Sequence, residues 1–281
     1  MYKITEALRY NPAVKRLTVD APLVARRAKP GQFIILRVNE TGERIPLTIA
    51  ESDKDAGTVT IIFQEVGKTT TMLGALDVGD SLCDVVGPLG TPSHLDGILS
   101  ACVIGGGLGC AIAYPQAKAL HEKGARVDMI AGFRSRDLIF LEEEMRNVST
   151  SLTVCTDDGS NGKKALVTDV LKEYLEEGRT FDTIIAIGPL VMMKYVCLTA
   201  KPYNLPVIVS MNPIMVDGTG MCGGCRVTVD GKVKFACVDG PDFDGYLVDF
   251  DEAMRRNQMY LEREARDSAA HRCRLEEQID V

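Results

Sequence analysis

The chain has 281 residues, of which 46% are hydrophobic and 25% charged, and its formal net charge is −7. At roughly 150 residues per domain that length suggests two domains, and the composition supports a sizeable buried core. The acidic balance, the absence of Trp and an aromatic content of only 6% argue against a nucleic-acid partner. The opening MYKITEALRY lacks the apolar run of a secretory signal. Gly97 to Ala117 is uncharged and long enough to cross a bilayer, but Gly105, Gly106, Gly107 and Gly109 break its middle and Pro115 its end. No membrane span is expected, and the location expected is cytoplasmic. Cys102, Cys110 and Cys197 each lie in an apolar run and read as small buried hydrophobes.

Residues 1–96 read as short strands separated by turns. AKPGQFIILRV, AGTVTIIFQEV and LDVGDSLCDVVGPLG each place Gly, Pro or Asp punctuation beside an apolar run, which predicts a small antiparallel β-barrel. From Gly97 the texture changes. ILSACVIGGG, ARVDMIAGF, SLTVCTDDG, FDTIIAIGP and LPVIVSMN read as buried strands, with amphipathic helical stretches between most of them. That alternation predicts a parallel-sheet α/β domain over 97–212. A Gly- and Cys-rich segment follows over 213–240. Residues 241–281 form a charged, helical C-terminal extension, suited either to solvent or to docking a partner.

Gly105-Gly106-Gly107-Leu108-Gly109 ends the first strand of the α/β domain and opens a helix. A backbone without Cβ atoms, leading into free helical N–H groups, suits a dinucleotide pyrophosphate. Arg134 and Arg136 follow the second strand, Thr156, Asp157 and Asp158 the third, and Gly188 and Pro189 the fourth. Ligands of open α/β sheets collect at these carboxyl ends. The residues leave NAD and NADP equally open.

In the barrel, Arg44-Ile45-Pro46-Leu47-Thr48 and Gly67-Lys68-Thr69-Thr70 combine a cation, hydroxyls and a Gly-led turn, which suit a phosphorylated ligand. In the third segment the sequence reads D-x4-C-x2-C-x11-C, through Asp217, Cys222, Cys225 and Cys237. An Asp230-Gly231 hairpin turn would return Cys237 toward the Cys222/Cys225 pair. Zinc would need a further Cys or His. The register matches plant-type [2Fe–2S] spacing, with Asp217 where the first Cys would stand, and favours that cluster.

R-x-P-L-T, then G-K-T-T and Gly87-Pro88-Leu89-Gly90, resemble the ferredoxin–NADP reductase superfamily. The resemblance implies that the barrel binds FAD and the α/β domain NAD(H), with NADP(H) as the alternative. It places Arg44, Gly67, Thr69 and Thr70 at the pyrophosphate, and Pro46, Leu47 and Thr48 beside the isoalloxazine, with Ile62, Phe63 and Gln64 on a second flavin-contacting strand. Leu47 stands where many members carry Tyr or Phe. The barrel, nucleotide domain and cysteine segment together resemble dihydroorotate dehydrogenase electron-transfer subunits. With Asp in place of the first Cys, they are similar to small subunits of NADH-dependent reduced ferredoxin:NADP oxidoreductases. That family implies electron bifurcation, with a larger partner subunit carrying a second flavin and [4Fe–4S] clusters, and ferredoxin served indirectly. The alternatives are a dihydroorotate dehydrogenase electron-transfer subunit and a zinc-stabilised nucleotide sensor.

Overall fold

The computed structural model describes residues 1–259. Its first sheet contains β1 (Tyr2–Asn11), β2 (Val14–Asp20), β3 (Phe33–Arg37), β4 (Arg44–Asp53), β5 (Thr58–Gln64), β6 (Ser81–Leu82) and β7 (Asp84–Leu89). Every pairing in it is antiparallel, in the order β6-β1-β2-β5-β4-β3-β7. The two outermost strands are consecutive in the chain, separated only by Cys83, so the bend there closes the sheet into a barrel. Strand alternation sends Leu17, Val19, Ile34, Leu36, Ile49, Ile61 and Phe63 inward, all buried. Two short helices, α1 (Pro22–Ala25) and α2 (Lys68–Gly74), add Val24, Ala25 and Leu73 to this core.

The second sheet contains β8 (Ser100–Gly106), β9 (Arg126–Phe133), β10 (Ser151–Thr156), β11 (Thr183–Ile187) and β12 (Val207–Ser210), all mutually parallel. Between them run α3 (Gly109–Glu122), α4 (Glu142–Asn147), α5 (Val167–Glu176) and α6 (Leu190–Ala200). The order β10-β9-β8-β11-β12 runs outward in both directions from β8, so the chain reverses direction across the sheet at the carboxyl end of β8. The expected barrel followed by a parallel α/β sheet is thus present. Cys102, Cys110 and Cys197 are buried within the domain.

After β12 the chain leaves the sheet to form the hairpin β13 (Arg226–Val229) and β14 (Lys232–Phe235). Asp230 and Gly231 have φ of 52° and 67°, the left-handed pair that a tight two-residue hairpin requires. The residues from 241 onward, separated in the sequence reading as an extension, first return to the nucleotide sheet. There β15 (Asp242–Asp244) pairs antiparallel with β12. α7 (Phe250–Asn257) follows, its first turn capped by Asp249, which accepts from the Glu252 N–H at 2.8 Å. Lys194 on α6 and Asp251 on α7 form an ion pair at 2.7 Å. The remainder of the predicted C-terminal extension lies outside the described residues. No described helix is long and apolar enough to cross a membrane.

One buried carboxyl ties the parts together. Asp242 Oδ2 accepts from Ser93 Oγ, in the linker after the barrel, and from Gln116 Nε2 on α3 at 3.2 Å. Burial pushes the Asp242 carboxyl above its ordinary range, and bonds from Ser93, Ser210 and Gln116 only partly offset this. Its Oδ1 and the Oε1 of Gln116 are both buried without a partner. A raised carboxyl disfavours the folded state progressively as pH climbs from the unfolded value, about 4, through the folded one. Asp242→Asn keeps the shape and cannot ionise. Its stability relative to the parent chain should therefore rise with pH across that window in urea titrations. Parallel curves for the two proteins would contradict this assignment.

Candidate functional site

The barrel has an opening where two neighbouring strands part. β4 and β5 pair only from Ile49↔Ile61 to Asp53↔Thr58. Before that point Arg44–Thr48 of β4 follow β3, while Ile62–Gln64 of β5 follow β2. The facing edges therefore carry main-chain donors and acceptors that the sheet does not use. A flat heterocycle with hydrogen-bonding edges can satisfy them. Ile45 and Leu47 pack toward the barrel core, so alternation turns Arg44, Pro46 and Thr48 to the opposite face. Phe63 is fully buried inside the barrel, so at this position only its main chain is available to the opening. Ile62 lies on the other face and packs in the core shared with Tyr114 of α3.

At one end of this slot, Thr69 Oγ1 donates to Glu43 Oε2 at 2.7 Å, fixing the start of α2 beside the start of β4. Thr70 Oγ1 accepts from the N–H groups of Val66 and Gly67, both at 3.0 Å, and so shapes the Gly67 turn. Gly67, Thr69 and Thr70 thus gather here with Glu43, to which no sequence motif pointed and which is the chain neighbour of Arg44. Arg44 also reaches beyond the barrel, and its Nε donates to the carbonyl of Val216 at 2.8 Å.

The nucleotide crevice lies where the order of the sheet reverses. A Cβ on Gly109 would come within 2.2 Å of the Ile187 carbonyl oxygen, and one on Gly106 within 2.3 Å of Met192 Sδ. Gly109 is therefore required by the backbone contact between the first βα turn and the turn after β11, whereas at Gly106 the movable end of Met192 is what a side chain would meet. Gly107 differs: its φ is +55° and a Cβ there would meet nothing within 4 Å, which leaves room for a ligand against the backbone. Arg134 and Arg136 are exposed after β9, and the Arg136 N–H donates to Ser160 Oγ at 2.7 Å. Thr156 is buried and bonds Asn161 at 2.9 Å. Asp158 accepts from the Ser160 hydroxyl and N–H, which hold its carboxyl below the usual range, while Asp157 is exposed. Gly109→Ala should therefore cost about 1–3 kcal/mol of stability and weaken dinucleotide affinity, as denaturation and fluorescence titration would read. An unchanged protein would contradict the packing argument.

In the cysteine segment the hairpin brings Cys225 and Cys237 together, with their sulfurs 3.2 Å apart and both residues buried. Burial is the main cause pushing the Cys237 thiol up to about 12, and the nearby Cys225 and Cys222 sulfurs add to it. Cys222 is exposed, and the N–H groups of Gly224, Asp217 and Val216 hold its thiol below the ordinary range. Asp217 Oδ2 accepts from the Thr219 hydroxyl, from Thr219 N–H at 2.9 Å and from Met221 N–H at 3.2 Å. Those bonds, with Arg44 nearby, keep it a carboxylate. Gly218 and Gly220 have φ of 84° and 86°. A Cβ on Gly218 would lie 2.7 Å from the side chains of Ile35 and Leu89, so the loop sits directly on the barrel.

Among the described residues, no three His, Cys, Asp or Glu side chains converge on a single ion position. Cys225 and Cys237 form one close pair, while Asp217 and Cys222 stand five positions apart on the loop that precedes it. Two ligands for each of two metals is the demand of a [2Fe–2S] cluster, and a donor set of thiolates with one carboxylate fits it. Gly218→Ala should dislodge the loop and lower bound iron in anaerobically purified protein. Full iron content in that variant would show that the contact does not matter.

A barrel closed through one bend, beside a parallel sheet that reverses at β8, is a ferredoxin-reductase-like fold. Residues 212–249 match the iron–sulfur cluster binding domain of dihydroorotate dehydrogenase B. The chain is 47% identical to a dihydroorotate dehydrogenase B (NAD(+)) electron transfer subunit homolog of Thermotoga maritima, over 88% of this chain and 86% of that one. It is 35% identical to the dihydroorotate dehydrogenase B (NAD(+)) electron transfer subunit of Geobacillus thermodenitrificans, over 81% and 89%. It is also similar to a chain in the solved structure of an NADH-dependent reduced ferredoxin-NADP oxidoreductase, studied for flavin-based electron bifurcation. That match has 43% identity and a TM-score of 0.92, covering 96% of this chain and 97% of that chain. The chain belongs to the family of dihydroorotate dehydrogenase B electron-transfer subunits and their homologues.

Proposed function

We propose that the chain is the electron-transfer subunit of an NAD(H)-dependent flavin and iron–sulfur oxidoreductase, working with a larger partner subunit. The observation that carries this reading is an adjacency. The Asp217–Cys222 loop rests through Gly218 on Ile35, and Ile35 is the cross-strand neighbour of Pro46 at the edge of the slot. When bound, the flavin supplies the exchange between a hydride and single electrons, which nicotinamide and an iron–sulfur centre cannot make directly.

The chain's own residues then divide the work. Pro46, Thr48 and the main chain of Leu47 on one edge, with Ile62, Gln64 and the main chain of Phe63 on the other, would hold the isoalloxazine of FAD. Arg44 and the Gly67–Thr70 turn would hold its diphosphate. Gly105–Gly109 and Gly188-Pro189 would seat NAD(H), with Arg134, Arg136, Thr156, Asp157 and Asp158 around its far end. Asp217, Cys222, Cys225 and Cys237 would ligate the cluster. Hydride transfer needs alignment rather than an acid or base, so no proton-transfer residue is assigned. The functional limits follow as 1–96 for FAD, 97–212 for NAD(H), 213–240 for the cluster and 241–281 for the extension.

The finer reading is the electron-bifurcating class, in which the partner carries a second flavin, [4Fe–4S] clusters and the NADP(H) site, and ferredoxin is served indirectly. The likeness to the NADH-dependent reduced ferredoxin-NADP oxidoreductase supports it, as does the carboxylate at position 217. The thiolate ligands suit the reducing cytoplasm.

Anaerobically purified protein should contain FAD and about two irons per chain, and should reduce an artificial acceptor with NADH. One zinc and no iron would overturn the proposal. Asp217→Cys should keep a cluster but change its EPR spectrum and midpoint potential, because a thiolate is softer than a carboxylate. An unchanged spectrum and midpoint would remove Asp217 from the ligand set.

A further inference from the structure

β4 carries an irregularity directly beneath the slot. Where it begins to pair with β5, Ile49 faces Ile61 and the next pair is Glu51 with Thr60, so Ala50 is an extra residue with no partner opposite. Ile49 packs inside the barrel. Strict alternation would put Ala50 outside and drive the Glu51 carboxylate back into the apolar core. The bulge turns both outward instead. Ala50 joins the core shared with Ile62, Ala111 and Tyr114, and Glu51 lies against α3. Its Oε1 accepts from the Tyr114 hydroxyl at 3.3 Å and from Lys118 Nζ at 3.1 Å, two residues one turn apart on the same helix face. Its Oε2 is 3.8 Å from Nη2 of Arg16, the β2 neighbour of Ile62. Burial, then the Glu51 charge, push the Tyr114 hydroxyl above its ordinary range, so it remains a donor.

Both partners of this contact lie close to a proposed cofactor edge. Glu51 follows Thr48 by three positions on one strand, and Tyr114 follows Gly109, the first residue of α3, by five. We infer that Glu51 is a positioning residue for hydride transfer: turned outward by the Ala50 bulge, it holds Tyr114 and Lys118 and so sets the start of α3, with its dinucleotide turn, against the flavin edge of β4. This rests on the FAD and NAD(H) reading above and adds what fixes the two cofactor sites relative to each other. Glu51 acts through Tyr114 and Lys118 rather than on either cofactor. Transfer between two bound partners depends steeply on their spacing, and about 1 Å of misplacement can cost about a hundredfold in rate.

The test uses the full chain, with its partner subunit, prepared anaerobically as the parent, Glu51→Gln, Glu51→Ala, Tyr114→Phe and the double variant Glu51→Ala/Tyr114→Phe. Flavin content is measured, and flavin bleaching by NADH is followed in stopped flow over a range of NADH concentrations. Gln keeps an acceptor oxygen for Tyr114 and Lys118, so its saturating rate stays near that of the parent. Ala removes the acceptor, and the saturating rate falls about tenfold while flavin content and the half-saturating NADH concentration hold. Tyr114→Phe keeps the ring packed on Ile62 and loses only the hydroxyl, so its rate falls by a smaller factor. The double variant matches Glu51→Ala, because both changes break one contact. A merely structural contact would lower stability or flavin content and leave the saturating rate alone. A parent-like saturating rate in Glu51→Ala, or a double variant slowed by the product of the two single factors, would overturn the inference. If Glu51→Ala does not retain flavin, Tyr114→Phe decides the matter: a slowed saturating rate supports the inference and a parent-like one refutes it. Failure of the underlying reading looks different, because the parent protein itself would then lack flavin or resist bleaching by NADH.

Discussion

Everything at the site depends on the outer face of the barrel being covered by the cysteine segment. Strand alternation in β3 sends Ile34 and Leu36 inward and leaves Phe33 and Ile35 pointing out. In an isolated barrel those two would meet water. Here they join a single apolar cluster with Met211, Met215, Cys225 and Cys237. Each large side chain buried in this way contributes about 1.5–3 kcal/mol, so the cysteine loop is held on the barrel by the same force that folds it. Gly218 allows the closest approach, because its φ of 84° is strained for any other residue and a Cβ would press on the terminal methyls of Ile35 and Leu89.

That cover also fixes where the two redox groups can sit. The slot between β4 and β5 opens beside Pro46, and the loop lies over Ile35, one strand away. The nucleotide crevice approaches from the sheet side, held by α3, whose Tyr114 packs with Ile62 and bonds Glu51 at 3.3 Å. The slot, the cysteine loop and the nucleotide crevice are thereby held beside one another by packed contacts. The Asp242 junction joins Ser93, Gln116 and Ser210 on the side where the cysteine segment rejoins the sheet, and so resists separation of the parts.

Much of this could be read in the amino-acid sequence because the signals are local. The alternation of 97–212 is a matter of apolar runs and helical periodicity, and the return of Cys237 follows from the Asp230-Gly231 turn. What could not be read depends on contacts between distant segments. Arg44 and Val216 are 172 residues apart, and no periodicity links them. The parting of β4 from β5 is a question of partners, since either strand alone has an ordinary sequence. The same holds for Phe63, whose motif position suggests a ligand contact while strand alternation turns its ring into the core. Glycines mislead in the other direction. Gly109 looks like a phosphate-binding residue, yet the Ile187 backbone already requires it, and within this turn only Gly107 faces open space.

The most direct test is a crystal structure of the anaerobic protein with data collected on either side of the iron absorption edge. Two iron peaks should appear, one between the sulfurs of Cys225 and Cys237 and one between Cys222 and Asp217, with flavin density in the slot bounded by Pro46 and Ile62. A single peak at the zinc edge, or flavin bound away from that slot, would contradict the account.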